Sequence, residues 1–348
     1  MYSLIRACNA HEDDLAVLRV RVLRELRKLV SFDAAFLAAT DPETMLFTAA
    51  FADEPLVEAG PRFLDNEFAA VPDVNRFADL AVAAAPVASL DTATRGERAI
   101  SPRWREIIAP LGMGDEARVA LRVDNATWGV LCLHRSGPIE FQERELALLR
   151  KAAPHMGEAI RRVVAASARE NDIAAGTATQ GMAIVVDDTL LALGGAAEFW
   201  LEQLAGAPIA IGAPLPLPVL AVVRRLTTLE QSDLSAPPPV IRLGTRSGAL
   251  VTVHATRLRD AQGDGPIALT ITPAANTARA SLLLDAHGLT PAQRRVAQLV
   301  LQGRTTRQIV IELRISEHTV QDHLKAVFDK VGFRSRRELV TAVMRPAR

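Results

Sequence analysis

Cysteine is nearly absent: Cys8 and Cys132 are the two in 348 residues, far apart in sequence. That excludes a disulfide-dense secreted scaffold and points to a reducing cytoplasm. Lysine is scarce too, confined to Lys28, Lys151, Lys325 and Lys330. Net charge is missing, since 40 Lys and Arg face 40 Asp and Glu, so no bulk field draws the molecule to nucleic acid or membrane. The first residues, MYSLIRACNAHEDD, hold no apolar core and do not read as a signal peptide. The charge-free run 203–223 has the length of a bilayer span, but Pro208, Pro214, Pro216 and Pro218 would break any spanning helix, so no membrane segment is expected.

What is present is globular, with 49% hydrophobic and 23% charged residues and length enough for two or three domains. Charge is unevenly spread. Residues 285–348 hold 12 Lys or Arg against 6 Asp or Glu, a balance of +6, which leaves 28 against 34, or −6, for the remainder. A basic tail follows an acidic body.

Helical spacing of Leu15, Leu18, Val22, Leu26 and Leu29 predicts an amphipathic helix over 12–30. Strands are expected over 34–39 and 45–51, and a hairpin over 117–123 and 127–133 turns at Asp124-Asn125. Residues 141–166 read as helical, with Pro154 expected to bend the helix into two parts. After the break at 176–181, strands are expected over 182–186, 190–193, 240–243, 250–256 and 267–272, with short helices over 196–204 and 219–229. The small, polar residues that follow read as a linker, 276–282.

The tail, 283–348, reads as four helices. Thr290 or Pro291 opens the first, Thr305 or Thr306 caps the second, Ser316 caps the third and Ser335 the fourth; Gly303 and Gly332 are stops. On a wheel at 100° per residue, Val320, Leu324, Val327 and Val331 fall within about 60° of arc. Gln321, Lys325, His318 and Asp322 fall on the opposite face. His318 and His323 stand about 140° apart, so they cannot share a metal. His318 and Asp322 alone are too few ligands, and no metal site is expected. Two helices joined at Arg314-Ile315, the second with a polar outer face, form a helix-turn-helix. A helical bundle with a merely solvated face would show the same pattern.

The segment LTPAQRRVAQLVLQGRTTRQIVIELRISEHTVQDHLKAVFDKVGFRSRRELV closely resembles the LuxR-type helix-turn-helix of the LuxR, FixJ and NarL regulators. The resemblance rests on Leu289, Thr290, Gly303, Ile309, Leu313, Ile315, Ser316, Thr319, Val320, His323, Lys330, Val331, Gly332, Arg336, Glu338 and Leu339. It implies a double-stranded DNA partner. Gln321, Asp322 and Lys325 match groove-facing positions, and His318 shares their face of the wheel. Thr306, Thr319 and Lys330 match positions near phosphates, and Leu339, Val340 and Val343 the dimerisation helix. It departs at Gln321, commonly Lys in the family, at the groove-facing acid Asp322, and at Gln293 and Gln308, often Glu. These imply modest affinity per half-site and reliance on a homodimer.

In the body, Ile184-Val-Val-Asp-Asp188 looks like the acidic end of a receiver strand, but no lysine lies between it and the tail. A P-loop is also missing, and no nucleophile–base pair stands at motif spacing, so no enzyme is expected. Residues 12–168 resemble a GAF domain, carried by the opening helix, the paired strands and Trp128-Gly-Val-Leu-Cys-Leu133 followed by Phe141. Residues 175–275 resemble a PAS domain: strand, turn, strand, short helices, three-strand meander. Both resemblances imply either a small-molecule effector site or a dimerisation module. His134 reads as a satisfied strand histidine or a haem ligand, Cys132 as core or a bilin or redox site, Trp104 and Trp128 as core or pocket wall, and Arg103 and Arg105 as ion-paired or anion-binding. The fold class expected is multidomain α+β: a GAF-like antiparallel sheet with flanking helices, a PAS-like α/β unit and a C-terminal four-helix LuxR-type domain. Its expected role is a cytoplasmic one-component transcriptional regulator. The alternative is a small-molecule or partner-binding adaptor whose tail no longer binds DNA tightly.

Overall fold

A computed structural model describes residues 1–11, 14–124, 126–169, 179–231, 236–260, 263–274 and 276–344. The chain opens with helix α1 (Tyr2–Asn9), where Leu4, Ala7 and Cys8 supply a buried face. In α2 (Leu15–Leu26) the predicted stripe is buried at Leu18, Val22 and Leu26, and the side chain of Asp14 accepts from Ala16 N to cap it. Strands β1 (Ala34–Thr40), β2 (Phe47–Ala52), β3 (Val87–Ser89), β4 (Met113–Val123) and β5 (Ala126–Ser136) form an antiparallel sheet in the order β2-β1-β5-β4-β3. Between β2 and β4 come helices α3 (Gly60–Glu67), α4 (Phe77–Val82) and α5 (Leu90–Thr94), in a stretch the periodicity left unassigned.

Strands β4 and β5 are buried continuously over 113–121 and 127–135, which requires both sheet faces to be covered. One face carries α1, α2 and α6 (Glu143–Arg169), packed around Trp128, Leu131, Leu149 and Met156. Pro154 lies inside α6 without ending it. The helix is continuous, and Pro154 sits on its exposed side. Gly157 sets how closely α6 approaches: a Cβ there would lie 2.8 Å from the Leu121 carbonyl oxygen.

The second sheet holds β6 (Gly181–Val186), β7 (Thr189–Gly195), β8 (Val240–Gly244), β9 (Leu250–Asp260) and β10 (Gly263–Pro273), ordered β7-β6-β10-β9-β8. Counted from its own first strand, this is the order of the first sheet. The β6–β7 turn places Asp187 and Asp188 at φ of 47° and 63°, as a tight hairpin with the right-handed strand twist requires. Helices α7 (Ala197–Ala205) and α8 (Leu217–Gln231) connect β7 to β8. The two units share a core: Phe47, Leu64 and Phe77 of the first pack in one cluster with Trp200, Leu220 and Val223 of the second. Arg242 of β8 closes the seam on Asp41, with Nε 2.8 Å from Oδ2.

The tail follows as α9 (Asn276–Ala286), α10 (Pro291–Leu301), α11 (Thr306–Leu313), α12 (Glu317–Val331) and α13 (Arg336–Met344). The linker expected over 276–282 is helical, as part of α9. Leu282, Leu283 and Ala286 of α9 join the body's core, whereas Ala280 and Leu284 join the tail's. A segment packed on two sides gains from helix formation what its own small residues do not supply.

Candidate nucleic-acid interface

Short-range capping builds the helix-turn-helix. Thr290 and Gln293 form a capping box at α10, and Thr305 and Gln308 another at α11. Glutamine serves this role as well as glutamate, which accounts for both departures from the family pattern. Arg314 ends α11 in the left-handed region at φ 54°, and the Ser316 hydroxyl then accepts from Thr319 N at 3.1 Å to start α12.

Helix α12 buries Val320, Leu324, Val327 and Val331 in the tail's core. Gln321, Asp322, Lys325 and His318 are exposed on its other side, His318 to 88%. Asp322 does not stand alone: its Oδ2 lies 3.6 Å from His318 Nε2, one turn away. Thr306 and Thr319 are half-buried in the first turns of α11 and α12, where free N–H groups favour a phosphate. His323 is half-buried at the packing edge. Lys330 is exposed but occupied, its Nζ 2.8 Å from the Gly288 carbonyl and 3.0 Å from Gln293 Oε1. Its contact pins α12 to the start of α10, a role that spacing alone does not reveal.

The dimerisation candidates divide. Leu339 is fully buried in the tail's own core and offers no surface to a second copy, which corrects the sequence reading: the family's apolar position here serves intramolecular packing. Val340 is half-buried. The side chain of Val343 lies outside the described residues.

A second constellation, in the body, went unseen because its members are distant in sequence. The β4–β5 register sets Glu116 opposite His134 and Arg118 opposite Cys132, all four buried. Arg103, fully buried beside them, donates from Nε to Glu116 Oε2 at 2.9 Å and from its backbone N to Asp73 Oδ2 at 2.8 Å. Arg118 donates to Glu116 Oε1 at 3.1 Å and Glu67 Oε2 at 2.7 Å, and the Cys132 thiol donates to Glu116 Oε1 at 2.9 Å. Burial alone would raise the Glu116 carboxyl; the Arg103 and Arg118 guanidiniums outweigh it and hold the carboxyl well below the usual range. Burial, then the Glu116 charge, push the Cys132 thiol far up, so it is a neutral donor.

Glu116, Cys132 and His134 bring one ligand atom each within 4.8 Å of the others, a geometry that could hold a metal. The electrostatics oppose it, because both Glu116 oxygens already meet guanidiniums, which repel a cation. Trp128 is core, and Trp104 donates from Nε1 to the Gly114 carbonyl at 2.9 Å. Arg105 is bound to the Ala99 and Ile100 carbonyls.

Burial pushes His134 down to about 4, partly opposed by Glu116. A base with a depressed folded pKa contributes stability that is full above its unfolded value, near 6.5, and lost as pH falls toward 4. Folding stability is therefore expected to drop by on the order of 3 kcal/mol from this group across that window. Urea midpoints between pH 7 and pH 4.5 test this: His134→Leu should flatten the profile, and an unaltered slope would contradict the assignment.

Among the described residues no helix is long and apolar enough to cross a membrane. Residues 287–343 match the model of bacterial regulatory proteins of the luxR family, and residues 14–160 match the GAF domain. The spore germination protein GerE of Bacillus subtilis (strain 168) is 39% identical over 57 residues, 16% of this chain and 77% of that protein. Among solved structures, Escherichia coli SdiA aligns over 98% of this chain and 93% of its own at 12% identity and a TM-score of 0.34. The chromophore-binding domain of an unusual bacteriophytochrome from R. palustris aligns at 15% identity and a TM-score of 0.32; the alignment covers 47% of this chain and 60% of that one. Both structural likenesses are too loose to carry weight. The family matches are not: with its helix-turn-helix at 287–343 and a GAF domain at 14–160, the chain belongs to the luxR family of bacterial regulatory proteins, DNA-binding regulators.

Proposed function

We propose that this chain is a homodimeric one-component transcriptional regulator in which the 283–348 tail reads a specific DNA sequence and the body, 12–168 and a PAS-like 175–275, supplies the input. The observation that carries it is the outer face of α12, where Gln321, Asp322 and Lys325 are exposed and no body residue covers them in their own chain. Gln321 can bond an adenine edge in bidentate fashion, and Asp322 can accept from cytosine N4. Lys325 supplies charge for a phosphate. The PAS-like reading is supported by the order of elements, strand–turn–strand, two helices, three-strand meander, and by the β7-β6-β10-β9-β8 sheet. Coupling of input to output is supported by α9, which packs on α6 with one side and on the tail with the other. Two such tails on a two-fold axis would favour an inverted repeat with half-sites about 10 bp apart.

The test is the salt dependence of binding. Lys325→Ala should weaken binding to all DNA alike and reduce the slope of log affinity against log salt by about one. An unchanged slope would remove Lys325 from the interface. Asp322→Ala addresses the adaptor alternative, which that groove-facing acid favours. Uniformly tighter binding to every sequence would mean Asp322 repels phosphates and reads no base, whereas a preference changed at one position would mean it reads.

A further inference from the structure

We infer that the cavity inside the GAF domain is a binding site for a small, mostly apolar, uncharged molecule with one hydrogen-bond donor, and that the second unit forms part of its wall. The inference rests on the reading of the body as the input end, and names the chemistry of that input. The cavity has a volume of about 230 Å³. Its walls are aromatic and aliphatic, with Phe36, Phe47, Phe63 and Phe77 among them. An engineered apolar cavity of about 150 Å³ accommodates benzene, so this one suits a molecule of roughly eight to twelve non-hydrogen atoms.

One end of the cavity is polar, formed by Glu67, Arg118, Cys132 and His134. Nε and Nη1 of Arg118 and the Cys132 thiol are spent inside the protein. Arg118 is directed at Glu116 and Glu67, and the Cys132 thiol at Glu116. One acceptor is left over. His134 is 1% exposed, its Nε2 faces Glu116 Oε1 at 3.9 Å, and its Nδ1 has no hydrogen-bond partner among the described residues. A carboxylate opposite Nε2 favours the tautomer with the proton on that nitrogen, which leaves a lone pair on Nδ1. An unpaired buried acceptor is costly, and a ligand O–H or N–H would satisfy it. The surrounding charges set the sign of what can enter: Glu67, Asp73 and Glu116 outnumber Arg103 and Arg118, so an anion meets a net negative end with its guanidiniums already paired.

Leu217, the first residue of α8, completes the wall from the second unit. A Cβ on Gly60 of α3 would lie 3.2 Å from Leu217 Cδ1, so the two units meet closely at the cavity's edge. Occupancy therefore bears directly on the α3–α8 contact.

The experiment is calorimetric titration of the purified full chain, without DNA, with three matched probes: p-cresol, p-xylene and 4-methylbenzoate. p-Cresol should bind at least about tenfold more tightly than p-xylene, and 4-methylbenzoate should not bind. His134→Leu should bring p-cresol down to the p-xylene level, and His134→Gln, which keeps an acceptor, should restore part of the difference. Leu217→Trp, which fills the cavity from outside the GAF sheet, should weaken both neutral probes. Equal binding of p-cresol and p-xylene, tighter binding of the benzoate, no binding of any probe, or p-cresol binding indifferent to all three variants would each overturn the inference. None of these outcomes bears on DNA recognition, which the Lys325 salt slope tests separately.

Discussion

Arg103→Met is expected to destabilise the GAF domain by about 3–5 kcal/mol, the range for breaking a buried ion pair from one side. Arg103 is completely shielded from water and ties several segments together. It reaches Glu116 on β4, Asn66 on α3 and the Val74 carbonyl, while its backbone N holds Asp73. Methionine preserves much of the volume and removes every donor of the guanidinium. Glu116 would keep Arg118 as its one guanidinium partner, beside the neutral Cys132 thiol, in a site where burial already disfavours its charge. Arg103→Lys should recover little, because an ammonium lacks the planar fork that reaches Glu116 and Asn66 together. Urea unfolding followed by tryptophan fluorescence measures this; a loss below about 1 kcal/mol, the scale of exposed pairs, would show that the network does not hold the fold.

Leu283→Asp should separate the tail from the body. Leu283 is buried with Leu282 and Ala286 in the cluster that includes α6, and the Arg161 guanidinium donates to the Ala286 carbonyl at 2.7 Å beside it. A carboxylate there would be buried without a designed partner, so the contact should open rather than bear the desolvation, which amounts to several kcal/mol. Amide exchange in α6 and α9 should accelerate by orders of magnitude, while α10–α12, whose core depends on Leu284, Val296, Val320 and Val327, stay protected. Binding to a single half-site should change less than about threefold, because the outer face of α12 is open in the docked arrangement. A large gain in affinity would mean instead that the body restrains the tail.

Much of this architecture is legible in the residues, and its failures have physical causes. The tail's helices are marked at both ends, by Thr290, Thr305 and Ser316 at the starts and Gly332 at a stop, so local chemistry sets their limits. Most strands of both sheets lie where apolar runs and turn residues predict them, but β3 was not among those expected. Helix α9 was hidden because its apolar side chains serve two cores, which blurs any single stripe. Pro154 was visible, but not that it would sit on the exposed side of a helix that runs on without a break. Leu339 was placed at an interface by analogy, and the fold spends it on its own core. Least visible was the Arg103–Glu116–Arg118 network with Cys132 and His134. Asp115-Glu-Ala-Arg118 looks like an exposed strand, and only the covering of both sheet faces makes those charges internal. The signal available was the pairing of Glu116 with His134 across the hairpin, which requires the register to be known.

The most direct test of the DNA-reading face of α12 is selection of bound fragments from random duplex DNA by the native chain and by Gln321→Ala. The native chain should enrich an inverted repeat with half-sites about one helical turn apart, and Gln321→Ala should lose its preference at one symmetric pair of positions while keeping the spacing. No enrichment by the native chain, or an identical motif from both proteins, would contradict it.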